Sequence, residues 1–193
     1  MRSTVEIIAV GLFLSLLRGY AFAYDEPDNF AGLKFGQDLT KQMRPCRLVK
    51  DTEYGERCYV DGPADGIREG DSFTLRNVVD FLRHDPEARQ LNGKLAMVSF
   101  TFNNRTGEDE TVLAILKRRY GAPTEQRQEP WVSRAGVRTT NLNVTWEGKN
   151  VTIFFEERGS TIDQGHVTYV TRAWIDHLRK RQAEKAKKGA SGL

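Results

Sequence analysis

Residues 108–123 read EDETVLAILKRRYGAP, and this stretch decides the local fold. Apolar side chains recur at helical spacing, with acids at the start and bases at the end, the charge order that a helix dipole favours. Gly121 is suited to end the helix, and Pro123 prevents its continuation. The stretch therefore predicts a helix over residues 108–120. Val112, Leu113, Ile115, Leu116 and Tyr120 form its apolar stripe.

Several segments around this helix alternate apolar and polar residues with a period of two, which is typical of half-buried strands. After the helix, the predicted strands are residues 142–146, 151–156 and 167–171. Before it, they are residues 58–60 and 95–102, with residues 73–82 fitting either a strand or a helical turn. Asp38 is the predicted N-cap of a short helix that Pro45 limits.

The two halves of the chain share an order in which a short helix is followed by a meander of strands. Short turns favour antiparallel pairing, and a helix over one sheet face gives an α+β layer. We predict an α+β fold of tandem helix plus three-stranded antiparallel meander modules. The helices would pack on one sheet face, and a basic helix would end the chain. The halves run from about residue 30 to 105 and from 106 to 177, so an internal duplication is a hypothesis.

The first 23 residues predict the cellular location of the protein. Arg2 precedes an apolar run over residues 7–17, and the segment ends in Ala21-Phe22-Ala23, which fits a signal peptidase site. The apolar run is shorter than the roughly 20 residues that span a bilayer. We expect residues 1–23 to be a signal peptide cleaved between Ala23 and Tyr24, which leaves no transmembrane segment in the mature chain. The alternative is an N-terminal membrane anchor that is never cleaved.

Cys46 and Cys58 are the only cysteines of the chain. An even cysteine count in an exported protein predicts a disulfide, and two cysteines allow a single intramolecular pairing. Their spacing excludes a CxxC redox motif, and a metal site would need more ligands. The sequence therefore predicts a structural disulfide.

Positive charge is concentrated at the C terminus. Residues 178–188 hold six Lys or Arg side chains against Glu184 alone, whereas the whole chain is formally +3. We therefore predict a domain over residues 24–177 and a basic tail over residues 178–193. The tail is either a solvated helix end or a contact for anionic surfaces. Export disfavours nucleic acid as a partner.

The pattern Leu113-x-x-Leu116-x-x-x-Tyr120-Gly121-x-Pro123-Thr124, followed by Trp131, Leu142-x-Val144-x-Trp146 and Val151-x-Ile153, resembles a class of small exported bacterial domains. The outer-membrane assembly lipoprotein BamE (the SmpA/OmlA type) and β-lactamase inhibitor protein belong to it. In that class a helix ending in Gly-x-Pro leads into a meander whose strands carry a Trp. The resemblance covers residues 30–171 and implies this fold and a location in the bacterial envelope, but no activity. Together with the predicted leader, it leads us to expect secretion, with the bacterial periplasm as the location. Unlike the lipoproteins, the chain has no cysteine at the cleavage site.

The sequence carries no recognisable catalytic motif. His84, His166 and His177 share no ligand-type spacing with one another or with Cys or Glu. HExxH, GxSxG and phosphate-binding glycine loops are absent from the sequence. We predict no catalytic residue, no cofactor and no metal. The enzyme alternative is a hydrolase that uses His84 and Glu87 with a Ser or Thr in one concave pocket.

Trp131 is the candidate contact residue. It lies between Pro130 and a polar stretch, whereas the apolar periodicity around Trp146 and Trp174 predicts core positions. The leading interpretation is an exported, non-catalytic protein that acts through contacts with an unknown protein or envelope component. The alternative is a secreted inhibitor-like module that presents an aromatic sheet face, including Trp131, to a target enzyme.

Overall fold

The computed structural model describes residues 24–46, 57–60, 72–78, 86–133, 136–159 and 161–190. The predicted leader and His84 lie outside the described residues. Within the described residues, strands account for 45% and helices for 28%, so the fold is predominantly β.

Ten strands and three α-helices make up the described part of the chain. The strands are β1 (Asn29–Phe30), β2 (Leu33–Lys34), β3 (Cys58–Val60), β4 (Ser72–Arg76), β5 (Glu87–Leu91), β6 (Lys94–Asn103), β7 (Glu125–Val132), β8 (Arg138–Trp146), β9 (Val151–Glu156) and β10 (Gln164–Thr171). The helices are α1 (Leu39–Gln42), α2 (Glu108–Tyr120) and α3 (Arg172–Ala190). A single 3-10 turn, Asn104–Thr106, precedes α2.

Eight of the strands form one antiparallel sheet, in the order β3-β4-β5-β6-β10-β9-β8-β7, while β1 and β2 form a separate hairpin. The centre of the sheet is the pairing of β6 with β10, in which Val167 lies opposite Phe100. The strands on each side of this pairing follow one another as an antiparallel meander.

The predicted α+β fold of tandem helix plus three-stranded modules is wrong, because the structure has one continuous eight-stranded sheet. The prediction missed two strands of this sheet, β5 and β7, and both strands of the β1–β2 hairpin. β7 lies at the outer edge of the sheet, and its sequence EQRQEPWV is exposed over almost its whole length, so it has no apolar periodicity. Pro130 is compatible with this edge position. In β5 the inward side chains are Ala88 and Gln90, which give only a weak alternation signal.

Helices pack on both faces of the sheet, so the prediction of a single covered face is also wrong. Leu116 and Tyr120 of α2 belong to the main core, together with Tyr169 of β10. Trp174 of α3 packs in a second cluster with Val170. Successive strand residues point to opposite faces, so the side chains of Tyr169 and Val170 lie on different faces of the sheet. α3 begins directly after β10, and this alternation places its first turn opposite α2.

Several local predictions are confirmed. α2 covers residues 108–120, and Trp146 and Trp174 are buried. Asp38 is the N-cap of α1, where its carboxylate accepts hydrogen bonds from the Thr40 backbone N–H at 2.9 Å and from the Thr40 hydroxyl at 2.6 Å. The hydrogen bond from the Thr40 hydroxyl is the main reason why the pKa of Asp38 lies below its usual range.

The predicted disulfide is present. Cys46 and Cys58 are bonded, with their Cα atoms 5.2 Å apart, and Cys58 is fully buried. Backbone hydrogen bonds run beside it, since the Cys46 N–H donates to the Tyr59 carbonyl at 2.8 Å and the Tyr59 N–H donates to the Arg44 carbonyl at 3.1 Å. The disulfide therefore fastens the segment that follows α1 to the β3 edge of the sheet.

The first described residues are also tied to the sheet. The Glu26 carboxylate accepts hydrogen bonds from the backbone N–H groups of Lys149 and Asn150 in the β8–β9 turn and of Val151 at the start of β9. The Asp25 N–H donates to the Tyr120 carbonyl at 3.1 Å, at the end of α2. Gly148 is required in this turn, because a Cβ there would lie 2.7 Å from Cδ of Glu26. Within the described ranges, no helix combines the length and apolarity needed to cross a membrane.

Candidate functional site: the open face of the sheet

The sheet face opposite α2 is the candidate functional surface. Among the described elements, only the first turns of α3 pack on this side, where Trp174 contacts the cluster that includes Val170 and Ala96. The rest of this side is here called the open face. It is defined by the outward-facing residues Ser99, Thr101, Asn143, Glu156, His166 and Thr168, whereas Phe154 lies on the same side and packs against the cluster around Trp174.

Strand pairing arranges the side chains of the open face in rows. The longest row crosses all eight strands and consists of Val60, Thr74, Glu87, Ser99, Thr168, Phe154, Thr145 and Glu125. A second row consists of Thr101, His166, Glu156, Asn143 and Arg127. Directly paired residues have Cβ atoms about 4.5–5.5 Å apart and interact on one face. The rows therefore form a continuous surface of hydroxyl, carboxylate, amide, imidazole and aromatic groups.

A polar recess lies at the centre of the open face, along β6 and β10. Its volume is about 310 Å³, and its lining includes Glu87, Ser99, Thr101, Gln164, His166 and Thr168. A second hollow of about 520 Å³ shares Thr101 and Gln164 with it. This hollow extends to Arg105 and Asp163, whose charged groups are 2.6 Å apart. Donors and acceptors therefore line a concave part of an otherwise strand-built surface.

His166 is positioned by its neighbours in the second row and by the end of β9. Its Nε2 atom lies 3.6 Å from Oε2 of Glu156. Behind the ring, Gly159 allows the backbone to come close, because a Cβ there would lie 3.0 Å from Nδ1 of His166. The Glu156 carboxylate therefore lies beside the imidazole, and the ring lines the recess.

The hydrolase alternative required His84, Glu87 and a hydroxyl residue in one pocket. His84 lies outside the described residues. Glu87 does line the recess together with Ser99, and the histidine found there is His166. The Glu87 carboxylate, however, pairs with Arg89 at 3.1 Å. The polar groups of the recess are thus spaced along strands. This arrangement is suited to hydrogen bonding with the surface of a bound partner.

Trp131 lies on the open face at its outer edge. It belongs to β7, where it pairs with Thr139, and it is partly buried. Thr139 shares a face with Asn143 because the two residues are four positions apart on one strand. The predicted contact residue and the polar recess are therefore on the same side of the sheet, at different distances from its centre.

In the described ranges, no group of three or more His, Cys, Asp or Glu side chains is arranged to hold a metal ion. In comparisons with known proteins, no family model, no curated protein and no solved structure matches this chain. The resemblance to BamE and β-lactamase inhibitor protein therefore stays a prediction.

Proposed function

We propose that this protein is an exported, non-catalytic binding module that contacts a protein partner through its open face. The observation that carries the proposal is the side-chain arrangement of the sheet, in which one face buries the core and the other aligns polar and aromatic groups across as many as eight strands. Interfaces of non-obligate complexes combine polar groups with aromatic anchors. Trp131 is the aromatic residue of the open face proposed for that role, since Phe154 packs against the cluster around Trp174.

The size of the open face supports the same function. Eight strands at the usual spacing extend over roughly 34 Å, and a strand of eight residues such as β10 is about 26 Å long. The whole sheet face, part of which the first turns of α3 cover, is therefore comparable in size to the roughly 800 Å² that each partner contributes to a standard interface. The inhibitor-like alternative is the special case in which the partner is an enzyme whose activity falls on binding.

Export to the periplasm is part of the proposal. It is supported by the predicted leader and by the Cys46–Cys58 disulfide, since disulfides persist in oxidising compartments. Mass spectrometry of the secreted protein tests it. A chain that starts at Tyr24 and lacks the two hydrogens lost on disulfide formation is expected. A chain that still starts at Met1 would instead indicate an uncleaved anchor.

Site-specific photo-crosslinking tests the open face. A photoreactive residue at Thr101, in the recess, should give an adduct of discrete mass that excess wild-type protein suppresses. The matched control is Thr140, a threonine of β8 that pairs with Pro130 and is exposed on the opposite side of the sheet. Position 140 should give no such adduct. Equal labelling from both positions, or none from Thr101, would contradict the proposal.

We further propose that the basic tail binds anionic surfaces such as a membrane of acidic phospholipid. Every described side chain from Leu178 to Lys188 is exposed in α3. Six of these residues are basic and one is acidic. Each Lys or Arg near an anionic bilayer contributes about 1 kcal/mol of attraction, which added salt screens.

Charge reversal of Lys185, Lys187 and Lys188 to Glu tests the tail. Wild-type protein should sediment with phosphatidylglycerol-containing vesicles at low salt and be released by about 0.5 M salt, while the triple variant stays unbound. Reversal of the exposed Lys41, Lys94 and Lys149 is the charge-matched control and should lower binding far less. If both variants bind equally well, the tail has no specific role in surface binding.

A further inference from the structure

We propose that a cavity on the α2 side of the sheet binds a small apolar ligand with one negatively charged group, such as an aromatic carboxylate. The cavity lies between α2, the β1–β2 hairpin and the centre of the sheet. The proposal is independent of the open face, because the two sites lie on opposite sides of the sheet.

The walls of the cavity are aromatic and aliphatic. Its volume is about 130 Å³, and the rings of Phe30, Phe100, Tyr120 and Tyr169 contribute to its lining. The Phe30 and Tyr169 rings meet edge to face with centroids 5.2 Å apart, and those of Tyr120 and Tyr169 do so at 6.0 Å. An apolar cavity of about 150 Å³ stays dry and takes up benzene or xenon. The available space therefore suits a single ring or a short branched alkyl group.

One charged side chain is among the described residues that line this cavity. Arg119 is the only charged side chain among its described lining residues, and its guanidinium carbon lies 5.5 Å from the centroid of the Tyr120 ring. Burial raises the pKa of Tyr169, so this phenol stays neutral and does not offset the positive charge. A guanidinium pairs with a carboxylate through two parallel hydrogen bonds. Arg119 therefore selects the sign of the ligand charge.

The turn between β1 and β2 contributes one residue to the cavity. Ala31 lines the cavity and has φ +50°, in the left-handed region that alanine rarely adopts. The neighbouring Gly32 has φ +89°, so both central residues of the hairpin turn are left-handed. Arg57 stabilises this conformation by donating to the Ala31 carbonyl at 3.0 Å. Two successive left-handed residues are what a tight two-residue hairpin turn requires, and this turn places the Ala31 methyl group in the cavity lining.

Binding of three single-ring probes with different charges tests the proposal: benzoate, toluene and benzylamine, measured by calorimetry and by chemical-shift changes. Benzoate should bind at least about tenfold more tightly than benzylamine, with toluene between them. Arg119→Gln should remove the preference for benzoate and keep toluene binding. Arg118→Gln is the matched control, because Arg118 is exposed on the same helix and does not line the cavity.

A second variant, Leu116→Phe, adds volume to the lining and should abolish binding of all three probes. Thr101→Arg on the open face should leave benzoate binding unchanged, which separates this site from the proposed docking surface. Failure of every probe to bind the wild-type protein would overturn the proposal, as would an unchanged preference in Arg119→Gln. Phe81 lies three positions after the lining residue Val78 in the sequence. If the probes bind only to the Phe81→Ala variant, a side chain of the protein itself occupies the cavity, and this result would also overturn the proposal.

Discussion

Gly165→Val should prevent folding or lower the free energy of unfolding by about 3 kcal/mol or more. A Cβ at this position would lie 2.3 Å from Cζ of Phe102 and 2.5 Å from the carbonyl oxygen of Glu157. Phe102 cannot withdraw easily, because its ring stacks on Phe155 with centroids 5.2 Å apart inside the core. Valine is otherwise a favoured strand residue, so strand propensity alone predicts the opposite sign.

Urea unfolding followed by circular dichroism measures this effect. The control is Thr168→Val, which introduces the same residue in the same strand on the open face and should change the free energy of unfolding by no more than about 0.5 kcal/mol. If Gly165→Val unfolds at the wild-type urea concentration, the close packing of Phe102 over β10 is wrong.

Replacing both cysteines by serine, Cys46→Ser with Cys58→Ser, should lower the free energy of unfolding by about 3 kcal/mol. The bond closes a loop with a sequence separation of 12 residues, and its main effect is to restrict the unfolded chain. The midpoint of denaturant unfolding measures the loss. Reducing agent should bring the wild-type protein to a similar midpoint and leave the double variant unchanged. Equal stability of oxidised wild type and double variant would contradict a structural role for the disulfide.

Local signals made part of the fold predictable. The acids, apolar stripe and bases of α2 lie within one stretch of sequence, followed directly by Gly121 and Pro123, and its bounds were predicted correctly. The alternation in β9 was equally informative because every inward residue there is apolar. The disulfide needed only the cysteine count and the predicted leader.

The remaining features depend on long-range pairing. β7 has almost no buried residue of its own and exists because β8 supplies hydrogen-bond partners along its whole length. The side of the sheet on which α3 packs depends on which face Val170 occupies, and that follows from its register with β6. The recess was missed for the same reason, since Thr101 and His166 are 65 positions apart in the sequence and meet only through β6–β10 pairing.

The affinity of the cross-linked partner for two variants, Thr101→Arg and Thr140→Arg, is the most direct test of the proposed docking surface. Both place the same bulky charge at a threonine in a long strand, on opposite sides of the sheet. If the open face is the docking surface, Thr101→Arg should weaken binding by about a hundredfold or more, while Thr140→Arg stays within about twofold of wild type. Wild-type affinity for Thr101→Arg, or an equal loss in both variants, would contradict it.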